Sequence, residues 1–260
     1  MKMRRLEGKL AVVTGAGAGI GEAIARRFAA EGARVVIAEI NAADGRRVAH
    51  EISAEFSATA VFVETDVANA ASVEAMVARV AADHGAPEIL VNNAGVNVFG
   101  DPLSISNEDW RRCLSVDLEG AWHCSRAVLP HMLEKGNGAI INIASNHSFQ
   151  IIKSTFPYPV AKHGLLGMTR SLAIEYADRG VIVNAISPGY IDTPLGERHF
   201  AATPDPKAAR QAVEQKQPIK RLGRPDEVAA LAALLASDEA RFIVGANLVI
   251  DGGVTIRMYE

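Results

Sequence analysis

A doubly wound α/β fold, one parallel sheet with helices on both faces, is what the sequence predicts, and three observations predict it. Short β-branched runs alternate with longer amphipathic stretches from near the start of the chain to near its end, the order in which βαβ units are written. The first apolar run passes directly into a glycine-rich turn and then a helical pattern. No repeat, low-complexity tract or linker interrupts the 260 residues, so residues 1–260 are expected to fold as a single domain around one large core.

Seven strands are expected, at residues 10–14, 34–38, 60–63, 89–91, 139–144, 181–185 and 248–250. Between them Ile20, Ala23, Ile24, Arg27 and Phe28 recur at helical spacing, as do Val73, Met76, Val77 and Val80, so each segment buries one face. Longer helices are expected over 106–134 and 158–177. The stretch of about 190–222 departs from the pattern. Pro194, Pro204, Pro206 and Pro218 break it among charged residues, which predicts a partly helical insertion lying over a site.

Composition narrows the function classes. A hydrophobic share of 49% with 22% charged residues is that of a globular protein. The net charge of −3 and the absence of an extended basic run argue against a nucleic-acid partner, whose phosphates need dense Lys and Arg. Met1-Lys2-Met3-Arg4-Arg5 is basic, but no apolar segment of signal-peptide length follows it and no stretch would span a bilayer. A soluble, cytoplasmic protein with no membrane partner is expected. Cys113 and Cys124 lie eleven residues apart in a helical region, too far to meet as a disulfide, and read as half-buried thiols; no metal site is expected.

The run Thr14-Gly15-Ala16-Gly17-Ala18-Gly19-Ile20-Gly21 joins the first strand to the first helix. Missing side chains there let a pyrophosphate approach backbone N–H groups at the positive end of a helix. No Lys-Ser/Thr follows the last glycine, which excludes a P-loop. Glu39 closes the second strand, where a carboxylate accepts hydrogen bonds from ribose hydroxyls and repels a 2′-phosphate, so NAD is favoured over NADP. The alternative for Glu39 is a solvated strand-end charge. Tyr158 and Lys162 stand four apart on one helix face, behind Pro157 and with Pro159 in the first turn, which sets Tyr158 at the helix mouth. Ser145 lies thirteen residues earlier, just past the fifth strand.

Thr-Gly-x-x-x-Gly-x-Gly and Ser-(12 residues)-Tyr-x-x-x-Lys together resemble the short-chain dehydrogenase/reductase family, and the similarity runs from Gly8-Lys9 to Asp251-Gly252-Gly253. The resemblance implies a Rossmann-like seven-stranded fold and a nicotinamide cofactor held by Gly15, Gly17, Gly19, Ile20, Gly21 and Glu39. Asp66 and Val67 would flank the adenine, and Asn93, Ala94 and Gly95 belong to the family's Asn-Asn-Ala-Gly signature. Tyr158 and Lys162 would meet the nicotinamide ribose, while Pro188, Gly189, Ile191 and Thr193 would seat the carboxamide. It implies Ser145, Tyr158 and Lys162 as the catalytic set, with Lys162 lowering the Tyr158 pKa, and usually a homotetramer through the two long helices and the C-terminal edge. One position departs from the pattern. Where most relatives carry Val-Asn-Leu, Val116-Asp117-Leu118 places aspartate in the fourth catalytic position, where it would raise the Lys162 pKa or serve as an ordinary helix carboxylate.

Residues between Ser145 and Tyr158 should wall the substrate pocket, with His147 and Gln150 meeting substrate beside Ser145 and Tyr158. This wall, with Lys153, Ser154 and Thr155, is polar, and the insertion adds Asp192, Glu197, Arg198 and His199, which suits a polyol or aldose better than a steroid. The insertion is also similar to that of sugar-oxidising members. Two alternatives stay open: a 3-oxoacyl carrier-protein reductase, for which Arg111, Arg112 and Arg126 offer a basic surface, and an NAD-binding protein without turnover.

Overall fold

In the computed structural model, which describes residues 4–56 and 58–258, the seven expected strands form one parallel sheet. They are β1 (Leu10–Thr14), β2 (Arg34–Glu39), β3 (Ala60–Glu64), β4 (Ile89–Asn92), β5 (Gly138–Ile143), β6 (Val181–Pro188) and β7 (Asn247–Ile250), in the spatial order β3-β2-β1-β4-β5-β6-β7. The helices are α1 (Gly19–Ala30), α2 (Ala42–Phe56), α3 (Ala70–His84), α4 (Asn107–Leu114), α5 (Gly120–Lys135), α6 (Tyr158–Tyr176), α7 (Pro194–Ala201), α8 (Pro206–Lys216) and α9 (Pro225–Leu235). Of the basic N-terminal run, Met1, Lys2 and Met3 lie outside the described residues. Arg5 is taken up by a two-pronged pair with Glu31, both bonds at 2.6 Å.

The two-residue period of a strand explains the layering. Along β1, Ala11 and Val13 face Ile24 and Phe28 of α1, with α2 and α9 completing that layer. Leu10 and Val12 face the other way, toward Val73, Met76 and Val80 of α3 and Val128 and Met132 of α5. Both faces are therefore covered, as a parallel sheet requires. Phe28 is fully buried, which contributes about 2–3 kcal/mol. Cys113 and Cys124 are fully buried rather than half-buried, and burial pushes both thiols up to about 12.

The helix expected over 106–134 is not continuous. Ser106 Oγ accepts the Asp109 N–H to start α4, a five-residue π turn (Ser115–Glu119) follows, and α5 continues from Gly120. The widened turn carries Asp117 and points it inward, a local distortion that apolar spacing alone does not reveal. The insertion is partly helical, as expected, holding α7 and α8, each started by Pro in its first turn behind a Thr193 or Asp205 cap.

Candidate active site

The strand order reverses between β1 and β4, and the loops leaving their carboxyl ends open a groove of about 770 Å³. It runs from Glu39 and Asp66 at one end, past the glycine turn, to Ser145, Tyr158, Lys162 and Asp117, with the α7 segment along its far wall.

Two glycines show why the turn is built as it is. Gly15 has φ +61°, and a Cβ on it would lie 2.8 Å from Ala94 Cα. A Cβ on Gly21 would lie 2.2 Å from the Gly15 carbonyl oxygen, so the turn folds back onto α1 only with glycine there. Gly21 thus sits beneath the groove, while Gly15, Gly17, Gly19 and Ile20 line it. Ala18 caps α1 without a side-chain acceptor, leaving the first-turn N–H groups to a ligand. A dinucleotide pyrophosphate fits that cradle.

Glu39 stands at the adenosine end, its carboxylate accepting from Gly17 N–H at 2.9 Å and Asn41 N–H at 3.0 Å. Asp66 and Val67 lie across from it, with Asp66 Oδ1 accepting the Ala68 N–H at 3.0 Å. Asn93 clamps the two loops, donating from Nδ2 to the Thr14 and Gly15 carbonyls at 3.0 Å each. Ala94 and Gly95 continue the wall. Pro188, Gly189, Ile191 and Thr193 form the opposite side, and Thr193 reaches so near Gly19 that a Cβ there would lie 3.4 Å away. Asn92 turns down instead, donating to Ser125 Oγ at 3.1 Å and Asn142 Oδ1 at 2.8 Å, while Asn142 donates to Thr169 Oγ1 at 2.8 Å. This buried polar girdle ties β4 and β5 to α5 and α6 under the site, and no periodicity signals it.

Ser145 follows β5, accepts the His147 N–H on Oγ at 3.1 Å and so fixes a short turn. Tyr158 opens α6 half-buried, and Lys162 rises one turn later with its ammonium 5.5 Å from the phenol ring centre. Lys162 Nζ donates to the Ile143 carbonyl at 3.3 Å and pairs with Asp117 Oδ1 at 3.1 Å. Both side chains are buried, at 5% and 0% exposure. The two Asp117 oxygens also share the Val96 N–H at 3.2 and 3.3 Å.

The electrostatics follow from that burial. Burial pushes the Tyr158 phenol up; Lys162 pulls it down, as expected, but by less, and Asp117 adds to the rise, so the phenol in the chain alone stands above the ordinary tyrosine value. For Lys162, burial favours the neutral amine, but Asp117 and Tyr158 outweigh it and hold the ammonium above the ordinary lysine value. Burial also lifts the Asp117 carboxyl against the pull of Lys162. Burial, with His163 nearby, lowers the His147 imidazole, leaving it neutral at neutral pH.

The substrate end corrects two expectations. Gln150 does not line the groove: its Nε2 donates to the Thr255 carbonyl at 2.7 Å, which turns the amide toward the C-terminal segment. Asp192 and Glu197 are occupied by Arg210, whereas Arg198 and His199 do face the groove. His147 is buried against Tyr158, ring centres 5.8 Å apart, with its Nδ1 unpartnered. Phe99, which sequence reasoning missed, stands edge-on to Tyr158 at 5.4 Å and lines the groove. It is placed by a two-residue antiparallel ribbon pairing Phe99–Gly100 with Phe156–Pro157, too short to leave an alternating pattern.

Comparison with known proteins shows the family and the fold. A family model described as enoyl-(acyl carrier protein) reductase matches residues 15–255. The chain is 42% identical to a D-threitol dehydrogenase of Mycolicibacterium smegmatis, over 97% of this chain and 95% of that one. The ligand-free aldohexose dehydrogenase of Thermoplasma acidophilum superposes with a TM-score of 0.90 at 35% identity, covering 99% of this chain and 98% of that one. A gluconate 5-dehydrogenase of Burkholderia cenocepacia, in complex with NADP and tartrate, gives 0.91 at 33% identity and 98% of each chain.

Proposed function

The chain belongs to the short-chain dehydrogenase/reductase family, and from that premise we propose that it is an NAD-dependent dehydrogenase of a small polar polyol or aldose, with Ser145, Tyr158 and Lys162 as its catalytic set. That it is a nicotinamide-dependent oxidoreductase acting on a CH–OH group comes with the family. The observation that carries the residue assignment is the meeting of Tyr158, Lys162 and Ser145 at one end of a groove whose other end is built for a pyrophosphate and a ribose.

When bound, the nicotinamide supplies the hydride acceptor or donor at the carbinol carbon. Tyr158 Oη exchanges the proton of the reacting oxygen. Lys162 supports the phenolate and is itself held in place by Asp117 and the Ile143 carbonyl. Ser145 Oγ donates to the reacting oxygen and fixes its orientation. Asp117 acts through Lys162 and does not touch substrate.

Glu39 supports NAD over NADP: its carboxylate is anchored by two backbone N–H groups where a 2′-phosphate would lie. Arg198, His199 and Thr155 in the groove wall support a ligand with several hydroxyls, in line with the sugar and polyol dehydrogenases the chain is similar to. Among the described residues no helix is long and apolar enough to cross a membrane. The homotetramer rests on the family resemblance, and light scattering measures its mass.

The test is a panel of aldoses, polyols and hydroxyacids followed by NADH absorbance, with NADP run in parallel. Turnover of at least one polyhydroxylated substrate with NAD well ahead of NADP is expected. Equal efficiency with both cofactors overturns the Glu39 assignment, and tight NAD binding without turnover across the panel overturns the enzymatic one.

A further inference from the structure

Arg210 is the cation on which the insertion turns. It projects from α8 to three carboxylates: both Asp192 oxygens, at 3.1 Å from Nη1 and 2.6 Å from Nη2; Glu197 through Nη1; and Glu214 from Nε at 3.0 Å. The fork on Asp192 is bidentate, the geometry in which an arginine pair is strongest and most directional. Its side chain is 34% exposed, so water screens each bond, but the bonds form one network rather than isolated pairs.

What the fork holds gives it a role. Asp192 lies between Ile191 and Thr193, which both line the groove as do Pro194, Leu195 and Gly196 after them, and Glu197 lies one turn into α7. Thr193 reaches across to Gly19 of the phosphate turn, so this segment roofs the cofactor groove. On its other side the same segment is pinned by backbone bonds: Asp192 N–H to the Gly223 carbonyl at 2.8 Å and Gly223 N–H to the Tyr190 carbonyl at 2.9 Å. Gly223 holds one flank of this stretch and Arg210 the other.

We propose that Arg210 is a positioning residue for the cofactor, latching the Asp192–Glu197 stretch over the groove and thereby setting the rate at which NADH leaves. The inference rests on the dinucleotide reading of the groove made above. Arg210 touches neither cofactor nor substrate; it acts through the backbone on either side of Thr193. The Tyr158–Lys162–Asp117 cluster lies outside its network, so proton transfer and its pH dependence are independent of it.

The experiment is stopped-flow displacement of NADH from the intact protein, with NADH fluorescence titration for affinity. Arg210→Met should raise the NADH release rate about fivefold with little change in association, because it removes a bidentate pair and its network. Arg210→Lys, which keeps the charge but not the fork, should fall between it and the wild type. Asp192→Asn should speed release by a smaller factor, and the double variant should release no faster than Arg210→Met alone, the signature of one shared interaction. The pH profile of kcat/KM should not move in any of them. Release within twofold of wild type in Arg210→Met, or fully additive effects in the double variant, overturns the proposal. If Arg210→Met does not fold, wild-type release from Asp192→Asn overturns it equally. Failure of the wild-type protein to bind NADH at all would instead remove the cofactor reading, a result separable from unchanged release.

Discussion

Two ion-paired clusters flank the same groove, and they differ in burial, in stoichiometry and in what they hold. At the floor, Lys162 and Asp117 face each other at 3.1 Å with almost no exposure, one cation to one anion, and the remaining Asp117 bonds come from the Val96 N–H and, at 4.0 Å, the Cys113 thiol. On the roof, Arg210 serves three carboxylates in partial contact with water. The floor pair acts on proton affinity because low dielectric makes each charge felt by its neighbours. The roof network acts on geometry, since screened bonds hold position without shifting chemistry. The same interaction type therefore does electrostatic work where it is dry and mechanical work where it is wet.

The largest expected effect belongs to the residue the floor pair serves. Tyr158→Phe should cut kcat by at least about 10³-fold in steady-state assays while NADH titration stays near wild type; retention of substantial turnover would remove Tyr158 from its role. Next comes stability. Asp117→Ala leaves a buried ammonium unpaired and should cost about 3 kcal/mol in urea unfolding, whereas Arg210→Met should cost no more than about 1 kcal/mol. Similar losses in the two variants would erase the distinction between floor and roof.

A smaller, more diagnostic effect is expected from Asp117→Asn. Asp117 adds to the upward push on the Tyr158 phenol, so removing its charge lowers the phenol pKa. Alcohol oxidation needs the phenolate and rises with pH, so its acid limb should shift to lower pH. A limb that stays in place, read from kcat/KM against pH, would leave Asp117 only the task of holding the Val96 N–H. The smallest effect is at the substrate end: Phe99→Ala should raise KM for the best substrate several-fold with kcat little changed, measured by initial rates.

How much of this the sequence revealed follows physical range. The strands and the glycine turn were legible because their signals are local: a two-residue period, a helical period, and glycines in a strand-to-helix context. Ser145, Tyr158, Lys162 and Glu39 were legible because fixed spacings put them at strand ends and a helix mouth, and all four line the groove. What escaped depends on contacts between distant segments. Arg210 looks like any charge on a polar helix until Asp192 is folded beside it. Phe99 is placed by a pairing with Phe156–Pro157, and Gln150 was misjudged because its partner, the Thr255 carbonyl, lies 105 positions away. Asp117 was identified as a departure, but the π turn that aims it was not, since a widened turn leaves no mark on apolar spacing.

The bridge between Ile191 and Gly223 brings the two ends of the insertion side by side at the rim of the sheet. Lengthening or exchanging the chain between those ends changes a closure entropy that grows only with the logarithm of length, and it leaves the strand register beneath untouched. Changes of length in the insertion are therefore absorbed between two anchored ends, beyond the strand that leads to Ser145 and the helix that carries Tyr158 and Lys162.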